Sequence, residues 1–203
     1  FYVGHPLSYK IEIDEQDINK KIENSIALLP GSRNSEISQV GDLMVRAAKA
    51  LKKDNPEYVF FMPLASENHL ALFQEEMEDF INVTYENSQE VLRKSKLAII
   101  TSGTATLESV LSFTPCVTLY RTNWISYRLI KPLLTIKYFS LPNLISGKDL
   151  LPELLQDELT IENIKNSIEF INKKGIEFYL EEFRNLKDDL RAGGADLASE
   201  KII

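Results

Sequence analysis

The stretch 27-ALLPGSRNSEI-37 shows how this chain is built. An apolar run ends at Leu29, the residues Pro30 to Arg33 interrupt it, and a new apolar pattern with helical spacing begins at Ile37. An unbroken apolar run is typical of a strand that is covered on both faces of a sheet, and a change to helical spacing indicates a helix. The stretch therefore predicts a strand, a short loop and a helix, and the composition of the loop suggests that it holds a ligand.

Strand-like and helix-like segments alternate along the rest of the chain in the same way. The predicted strands are apolar runs at 25–29, 58–63, 81–85, 97–101 and 116–120, with a shorter sixth candidate at 137–141. The predicted helices between them cover 37–51, 68–80 and 104–113. Alternation of this kind indicates a parallel sheet with crossover helices.

We therefore predict an α/β fold, with a Rossmann-like parallel sheet of about six strands flanked by helices over residues 1–158. From Thr160 on the pattern is helical and highly charged, which predicts a helical C-terminal tail over 159–203. With 203 residues, of which 44% are hydrophobic, the chain can form one large domain or one domain with a small appendage. Because the sequence starts at Phe1, we expect it to be a piece of a longer protein.

The composition excludes several classes of function. A formal net charge of −7 argues against a general nucleic-acid binder, so we expect no nucleic-acid partner. The single cysteine, Cys116, excludes an internal disulfide and is compatible with a reducing compartment. No group of Cys, His and Asp has the spacing of metal ligands, so we predict no metal site and no cofactor.

The loop after the first predicted strand contains groups that suit a phosphate. Gly31 allows a ligand to approach the backbone closely, and Arg33 offers a rigid fork of donors. We expect Ser32, with Asn34 or Ser35, to cap the helix that follows. The alternative is a tight turn whose arginine pairs with a surface acid, and the loop alone does not decide between the two.

The loop after the predicted strand 97–101 has similar chemistry. Ser102, Gly103 and Thr104 leave free N–H groups at a helix start, which is an anion site. Glu108 follows one helical turn later, where its carboxylate could accept both hydroxyls of a ribose. The alternative is a helix cap followed by a solvated glutamate. Together the two loops indicate a nucleoside diphosphate, although neither has the lysine of a Walker loop or the Gly-x-Gly-x-x-Gly pattern.

The stretch from Ser109 to Lys148 contains no acidic residue, although the chain average predicts about six. Within it, Trp124, Tyr127, Arg128 and Lys131 share one face of a predicted helix over 124–131. An aromatic and basic face on an acidic protein suits a lipid phosphate or an anionic membrane surface. The alternative is an ordinary amphipathic helix whose aromatic residues pack in the core.

Asn143 is a polar residue in an apolar loop. It either faces the cleft or closes a turn.

Six motifs occur in the order and approximate spacing of one enzyme family: YVGHPL, LLPGSR followed by EI, TSGTATLE, YR, LPNLI and PELLQ. On these motifs the chain resembles the carboxyl-terminal half of the lipid-A-disaccharide synthases, closely from Phe1 to about Glu158 and loosely in the tail. This family is similar to the glycosyltransferases of the GT-B type, in which two Rossmann-like domains face each other across a cleft.

The resemblance implies an inverting hexosyltransferase of lipid A biosynthesis. Its substrates would be UDP-2,3-diacylglucosamine and 2,3-diacylglucosamine 1-phosphate, and its products the β-1,6-linked disaccharide 1-phosphate and UDP. The enzyme would lie in the cytoplasm, peripherally on the inner membrane of a Gram-negative bacterium. Its catalytic base would be a carboxylate of the N-terminal domain, so we expect this chain to bind UDP and to be inactive alone.

The resemblance also implies roles for individual residues. The essential residues would be Arg33, which neutralises the leaving diphosphate, and Asn143, near the reacting sugar. The other substrate-binding candidates are Gly31, Ser32, Ser102, Gly103, Thr104, Glu108, Tyr120 and Arg121; of these, Ser102 to Thr104 would bind phosphate, Glu108 the ribose, and Tyr120 and Arg121 the sugar or the lipid phosphate. The tail would return toward the N-terminal domain. Without that domain, Phe178, Leu180 and Phe183 would have lost a docking surface, and we hypothesise a homodimer in which they pair with another copy.

Three other functions stay open at this point. One is another GT-B enzyme that uses a UDP-sugar, such as the peptidoglycan N-acetylglucosaminyltransferase or the UDP-N-acetylglucosamine 2-epimerase. Another is a non-catalytic nucleotide-binding or regulatory module. The third is a peripheral membrane-binding domain without nucleotide affinity. Fold alone does not separate them.

Overall fold

A single parallel sheet organises the protein. The computed structural model describes residues 7–11, 13, 15–85, 87–121 and 137–191. The strands are β1 (Ile22–Leu29), β2 (Val59–Pro63), β3 (Ile81–Thr84), β4 (Ser95–Thr101), β5 (Cys116–Tyr120) and β6 (Glu153–Leu155). Their order across the sheet is β3-β2-β1-β4-β5-β6, and every neighbouring pair is parallel. The predicted α/β fold with six parallel strands is therefore confirmed.

Helices connect and cover these strands. They are α1 (Leu7–Lys10), α2 (Glu15–Ile18), α3 (Asn34–Asp54), α4 (Ser88–Lys94), α5 (Ala105–Leu111), α6 (Leu141–Ser146), α7 (Ile161–Lys174) and α8 (Ile176–Arg191). Two short 3₁₀ helices cover Glu67–Leu72 and Gln156–Glu158. Helix α3 buries an apolar stripe that includes Ile37, Val40, Met44 and Leu51, at the spacing that the sequence predicts.

The sixth strand lies later in the chain than predicted. Residues 153–155 pair with β5, whereas the predicted strand at 137–141 is irregular and leads into α6. The cause is Glu153, whose carboxylate accepts hydrogen bonds from the backbone N–H groups of Phe139 and Ser140, each at 2.8 Å. These two N–H groups are therefore not available to a neighbouring strand.

The predicted helix at 68–80 was also wrong for most of its length. A 3₁₀ helix ends at Leu72, and the chain then runs without regular structure to β3. The Asp42 carboxylate of α3 accepts hydrogen bonds from the N–H groups of Gln74 and Glu75, at 2.9 and 3.1 Å. Phe73 packs so closely on Gly41 that a Cβ atom there would lie 2.7 Å from its ring. These contacts to α3 replace a helical continuation.

The C-terminal helices share the core of the sheet. Ile164 and Ile168 of α7, with Tyr179 and Phe183 of α8, belong to the same buried cluster as the strands. The predicted boundary after Glu158 therefore does not separate two cores. Leu180 and Phe183 are buried and Phe178 is partly buried against this core, so the expectation that these three side chains lack a docking surface was wrong.

A buried lysine joins three segments at the amino ends of the strands. Lys21 precedes β1 and is 5% exposed. Its ammonium donates hydrogen bonds to the carbonyl oxygens of Leu92 at 2.9 Å, Arg93 at 3.2 Å and Ser95 at 2.9 Å, and to the Thr114 hydroxyl at 2.7 Å. The ammonium thereby caps the carboxyl end of α4, where carbonyl groups lack helical partners. Burial, with a smaller contribution from Lys96, lowers the pKa of Lys21 from 10.5 to about 7.

We predict that Lys21→Met lowers the free energy of unfolding by about 2 kcal/mol, because it removes the buried hydrogen bonds by which Lys21 joins α4, β4 and Thr114. Urea unfolding followed by circular dichroism measures this loss. Lys20→Met, which removes an exposed lysine that pairs with Asp17, is the control and should change stability little.

The same pair of proteins tests the lowered pKa. Between the folded pKa of about 7 and the ordinary value of 10.5, the unfolded state of the wild type binds more protons at Lys21 than the folded state does. The stability advantage of the wild type over Lys21→Met should therefore grow as the pH rises from 7 toward 10, and it should be smallest below pH 7. If the difference in free energy of unfolding between the wild type and Lys21→Met does not change from pH 7 to 10, Lys21 titrates alike in the folded and unfolded states.

Candidate functional site

The structure brings the two predicted ligand loops into one cleft. The cleft has a volume of about 720 Å³ and lies at the carboxyl ends of β1, β2 and β4, the edge at which open parallel sheets bind ligands. Its walls are formed by Leu29, Gly31, Ser32, Arg33, Glu36, Pro63, Leu64, Ala65, Tyr85, Asn87, Ser88, Thr101, Ser102, Gly103, Thr104, Ala105 and Glu108. Six of these residues are predicted substrate-binding residues and one, Arg33, is a predicted catalytic residue.

Glycine is required at the first loop for two reasons. Gly31 has a φ of +105°, which side chains of L-residues rarely adopt. A Cβ atom at Gly31 would also lie 2.4 Å from a carboxylate oxygen of Glu36 and 2.7 Å from the Cβ of Glu36. The loop is therefore tightly packed against the first turn of α3.

Glu36 caps this loop from inside the helix. Its Oε2 accepts hydrogen bonds from the backbone N–H groups of Ser32 at 3.1 Å and Arg33 at 3.3 Å, and its Oε1 accepts from the Arg33 guanidinium at 2.8 Å. Arg33 is the residue at the helix start, and none of the predicted caps Ser32, Asn34 or Ser35 occupies that position. The expectation of a serine or asparagine cap was wrong: the capping carboxylate is that of Glu36, which accepts from the N–H groups of Ser32 and Arg33.

The second loop keeps more of its donors free. The N–H group of Ser102 donates to the carbonyl of Leu119 at 2.8 Å, so only the hydroxyl of Ser102 is left for a ligand. The N–H groups of Gly103, Thr104 and Ala105 have no acceptor within the described part of the chain. Three successive unpaired N–H groups facing a cleft suit an anion.

A carboxylate faces these donors from the next turn of α5. Glu108 lines the cleft, and its Oε2 accepts a hydrogen bond from the hydroxyl of Ser88 at 3.1 Å. Ser88 is the first residue of α4, and Asn87 before it caps that helix by accepting from the N–H group of Gln89 at 2.7 Å. The sequence reasoning missed the loop of Tyr85, Asn87 and Ser88, although its position after a predicted strand was the available signal.

Asn143 lies outside the cleft and is fully buried. Its amide group donates to the carbonyl of Leu151 at 2.8 Å and to Oε1 of Glu153 at 2.9 Å. Its Oδ1 accepts from the N–H groups of Leu150 and Leu151, at 3.1 and 2.9 Å. All four hydrogen-bonding positions of the amide are therefore used within the protein. In this arrangement Asn143 fixes α6 against β6 and does not present a polar atom to a ligand.

Tyr120 and Arg121 lie at the end of β5 but do not line the cleft. The Tyr120 ring is partly exposed and stacks on Phe139, with 6.0 Å between the ring centroids. The Arg121 guanidinium donates to the carbonyl of Gln39 in α3 at 3.1 Å. Both residues are thus at the correct edge of the sheet, and their roles in binding a sugar or a lipid phosphate stay predictions.

The predicted aromatic and basic face of Trp124, Tyr127, Arg128 and Lys131 lies outside the described residues. In the described part of the same acid-free stretch, Leu144 and Ile145 of α6 are exposed apolar side chains. Over the described ranges, no group of three or more His, Cys, Asp or Glu residues could hold a metal ion. Within the same ranges, no helix combines the length and the apolar character that crossing a bilayer would require.

Comparisons with known proteins show the family of the chain. The family model of lipid-A-disaccharide synthetase matches residues 1–190. A lipid-A-disaccharide synthase of Idiomarina loihiensis is 32% identical, and the match covers 99% of this chain and 56% of that protein. One of a Sulfurihydrogenibium species is 35% identical, with 92% of this chain and 53% of that protein covered. The chain thus spans about half the length of the relatives that it matches.

Solved glycosyltransferases share the fold. The spinosyn rhamnosyltransferase SpnG, in complex with spinosyn aglycone, has a TM-score of 0.62 at 14% identity, covering 94% of this chain and 48% of that one. The calicheamicin glycosyltransferase CalG4 has a TM-score of 0.57 at 15% identity, covering 88% of this chain and 42% of that one. At these identities the likeness concerns the fold alone, and it corresponds to about half of each larger enzyme.

The buried position of Asn143 leads to a stability prediction. Asn143→Ala should lower the free energy of unfolding by about 3 kcal/mol, because it leaves two N–H groups and a carbonyl of the backbone without partners in the interior. Thermal unfolding measures the loss, and Asn172→Ala, at an exposed position of α7, is the control. A stable Asn143→Ala variant would instead favour the predicted role at the reacting sugar.

Proposed function

The chain belongs to the lipid-A-disaccharide synthetase family, and from this we propose that it is the nucleotide-sugar-binding half of a hexosyltransferase of lipid A biosynthesis. The reaction would join UDP-2,3-diacylglucosamine to 2,3-diacylglucosamine 1-phosphate, giving the β-1,6-linked disaccharide 1-phosphate and UDP. The observation that carries the proposal is the cleft in which the Gly31–Arg33 loop, the free N–H groups at Gly103–Ala105 and the Glu108 carboxylate face one another.

Each part of the cleft suits one part of a UDP-sugar. The N–H groups of Gly103, Thr104 and Ala105 would bind a phosphate, and the hydroxyl of Ser102 would add a donor. Arg33, whose guanidinium is largely exposed, would reach the diphosphate from the opposite loop. Glu108 would accept the ribose hydroxyls, with Ser88 holding one of its oxygens in place. Apolar contact would come from Leu64, Ala65 and Tyr85.

The transfer requires that negative charge be stabilised on the departing UDP. When a hydroxyl oxygen of the acceptor attacks the anomeric carbon, the bond from that carbon to the diphosphate oxygen breaks and UDP leaves with the bonding electrons. The attack is on the face opposite UDP, so the configuration inverts. Fixed donors and a guanidinium stabilise the diphosphate without having to reorganise during the reaction. The acceptor must also lose its proton to a base.

We assign that base to the remainder of the longer protein. Of the two carboxylates that line the described cleft, Glu36 is paired with Arg33 and Glu108 is assigned to the ribose. The end of α8 lies against α1, with the Tyr9 hydroxyl 2.9 Å from the carbonyl of Arg191 and the Arg191 side chain 3.1 Å from the carbonyl of Ser8. This contact supports the proposal that the helical tail returns toward the N-terminal domain.

Both proposed substrates carry acyl chains, which partition into lipid, so the reaction requires a membrane surface. The exposed Leu144 and Ile145 lie in the stretch without acidic residues, which also contains Lys137. We propose that this side of the protein contacts the cytoplasmic surface of the inner membrane, where apolar side chains enter the lipid and basic groups meet lipid phosphates. No dimer is proposed, because the side chains on which that hypothesis rested are packed in the core of this chain.

The nucleotide site is tested by calorimetric titration of the 203-residue chain with UDP, UMP and ADP. We expect UDP to be preferred, Arg33→Ala to weaken UDP roughly 10- to 100-fold, and Glu108→Ala to weaken UDP and UMP alike. Arg46→Ala, on the same helix but away from the cleft, is the control for Arg33. Equal UDP affinity in wild type and both variants would overturn the assignment of the cleft.

The half-enzyme proposal has a separate test. The 203-residue chain should form no disaccharide from the two lipid substrates in vesicles, and adding the N-terminal half should produce activity, since the base is assigned there. Thin-layer chromatography of the labelled product follows the reaction, and the two halves with Arg33→Ala in this chain provide the matched control. Turnover by this chain alone would show that it contains the base.

A further inference from the structure

We propose that Glu36 is an internal competitor of the diphosphate: its carboxylate occupies the donors of the Gly31–Arg33 loop and gives them up when UDP binds. The proposal rests on the function proposed above and adds a residue that sets how tightly this site holds its product. Glu36 is not assigned a role in that function, although it lines the same cleft.

One side chain engages three of the donors that the loop would offer to a phosphate. Both N–H groups at Ser32 and Arg33 donate to one oxygen of Glu36, and the Arg33 guanidinium donates to the other. Two backbone N–H groups and a guanidinium are the donor types that bind phosphates in proteins. A carboxylate that accepts from all three therefore occupies the place of a phosphate group.

The fit between Glu36 and the loop is close. The carboxylate oxygen that accepts the two N–H bonds is also the atom that a Cβ at Gly31 would approach to 2.4 Å. The Glu36 side chain is about three-quarters buried, whereas the Arg33 side chain is 79% exposed. The carboxylate is thus held by the loop, while the guanidinium extends into the cleft and is able to turn toward a ligand.

The two donor sets of the cleft differ in availability. The N–H groups of Gly103, Thr104 and Ala105 have no acceptor among the described residues, so they are ready to receive a phosphate. The two backbone N–H groups of the Gly31–Arg33 loop, and the guanidinium N–H that Glu36 accepts, become available only if Glu36 withdraws. Binding of UDP would then be an exchange of one anion for another, in which the loop donors remain paired before and after. The reverse exchange would help UDP to leave after each transfer.

Glu36→Gln tests the proposal. Glutamine has the same shape as glutamate and keeps an oxygen that can accept from the loop N–H groups, but it is uncharged and forms no ion pair with Arg33. Calorimetry should show UDP bound roughly three- to tenfold more tightly than by the wild type. Binding of uridine, which has no phosphate and is measured by competition, should not change. Glu158→Gln is the control, since Glu158 likewise accepts a bond from the backbone N–H of Leu155 but is not part of the cleft.

A double-mutant cycle with Arg33→Ala separates this mechanism from a simple effect of charge. If Glu36 acts by holding Arg33, Glu36→Gln should change UDP affinity less than twofold in the Arg33→Ala protein. If the full gain persists without Arg33, Glu36 is only a nearby negative charge and the proposal is wrong. An unchanged UDP affinity of Glu36→Gln in the otherwise wild-type chain would also refute it.

These outcomes are distinct from failure of the proposed function. A wild-type chain that does not bind UDP would overturn the nucleotide site itself. A wild-type chain that binds UDP, together with a Glu36→Gln variant of equal affinity, would leave the nucleotide site intact and remove only the role of Glu36. Thermal unfolding of Glu36→Gln accompanies the titration, because the loss of a charged group in the first turn of α3 should lower stability slightly.

Discussion

The parallel pairing of β1 with β4 is the contact on which the cleft depends. Leu29, the last residue of β1, lies beside Ile100 near the end of β4, although about seventy residues separate them in the chain. Since both strands run in the same direction, the loops that follow them emerge at the same edge of the sheet. The register therefore sets Arg33 and Glu108 on opposite walls of one cleft, and a slip of the pairing would separate them.

Carboxylates hold this acidic protein together by accepting backbone N–H groups rather than by pairing only with cations. Glu36 accepts from the loop before α3, Asp42 from the segment after the first 3₁₀ helix, and Glu153 from the segment before α6. In each case a side chain satisfies N–H groups that a helix or strand would otherwise satisfy. These contacts shape the loops around the sheet without altering the sheet itself.

These carboxylate contacts explain which parts of the structure could be predicted from the sequence and which could not. Unbroken apolar runs identified five strands, and the helical stripe identified α3, because burial between two layers leaves a local pattern. The segments at 68–80 and 137–141 were predicted incorrectly because Asp42 and Glu153, each remote in sequence, take their N–H groups. No periodicity in a single sequence reports such a contact.

The candidate site could be predicted where position after a strand determines it, and could not be predicted where a side-chain contact does. Residues that follow predicted strands, such as Arg33 and Glu108, could be located by position, and the sheet brings them together. Asn143 could not be understood in this way, since its amide is satisfied by Leu150, Leu151 and Glu153, and no sequence pattern indicates these contacts. A polar residue within an apolar motif is compatible with binding a substrate and with fixing a loop, and burial is the observation that separates the two. By fixing α6 beside β6, Asn143 determines where the exposed Leu144 and Ile145 lie relative to the sheet, and this is a structural role that needs no contact with a substrate.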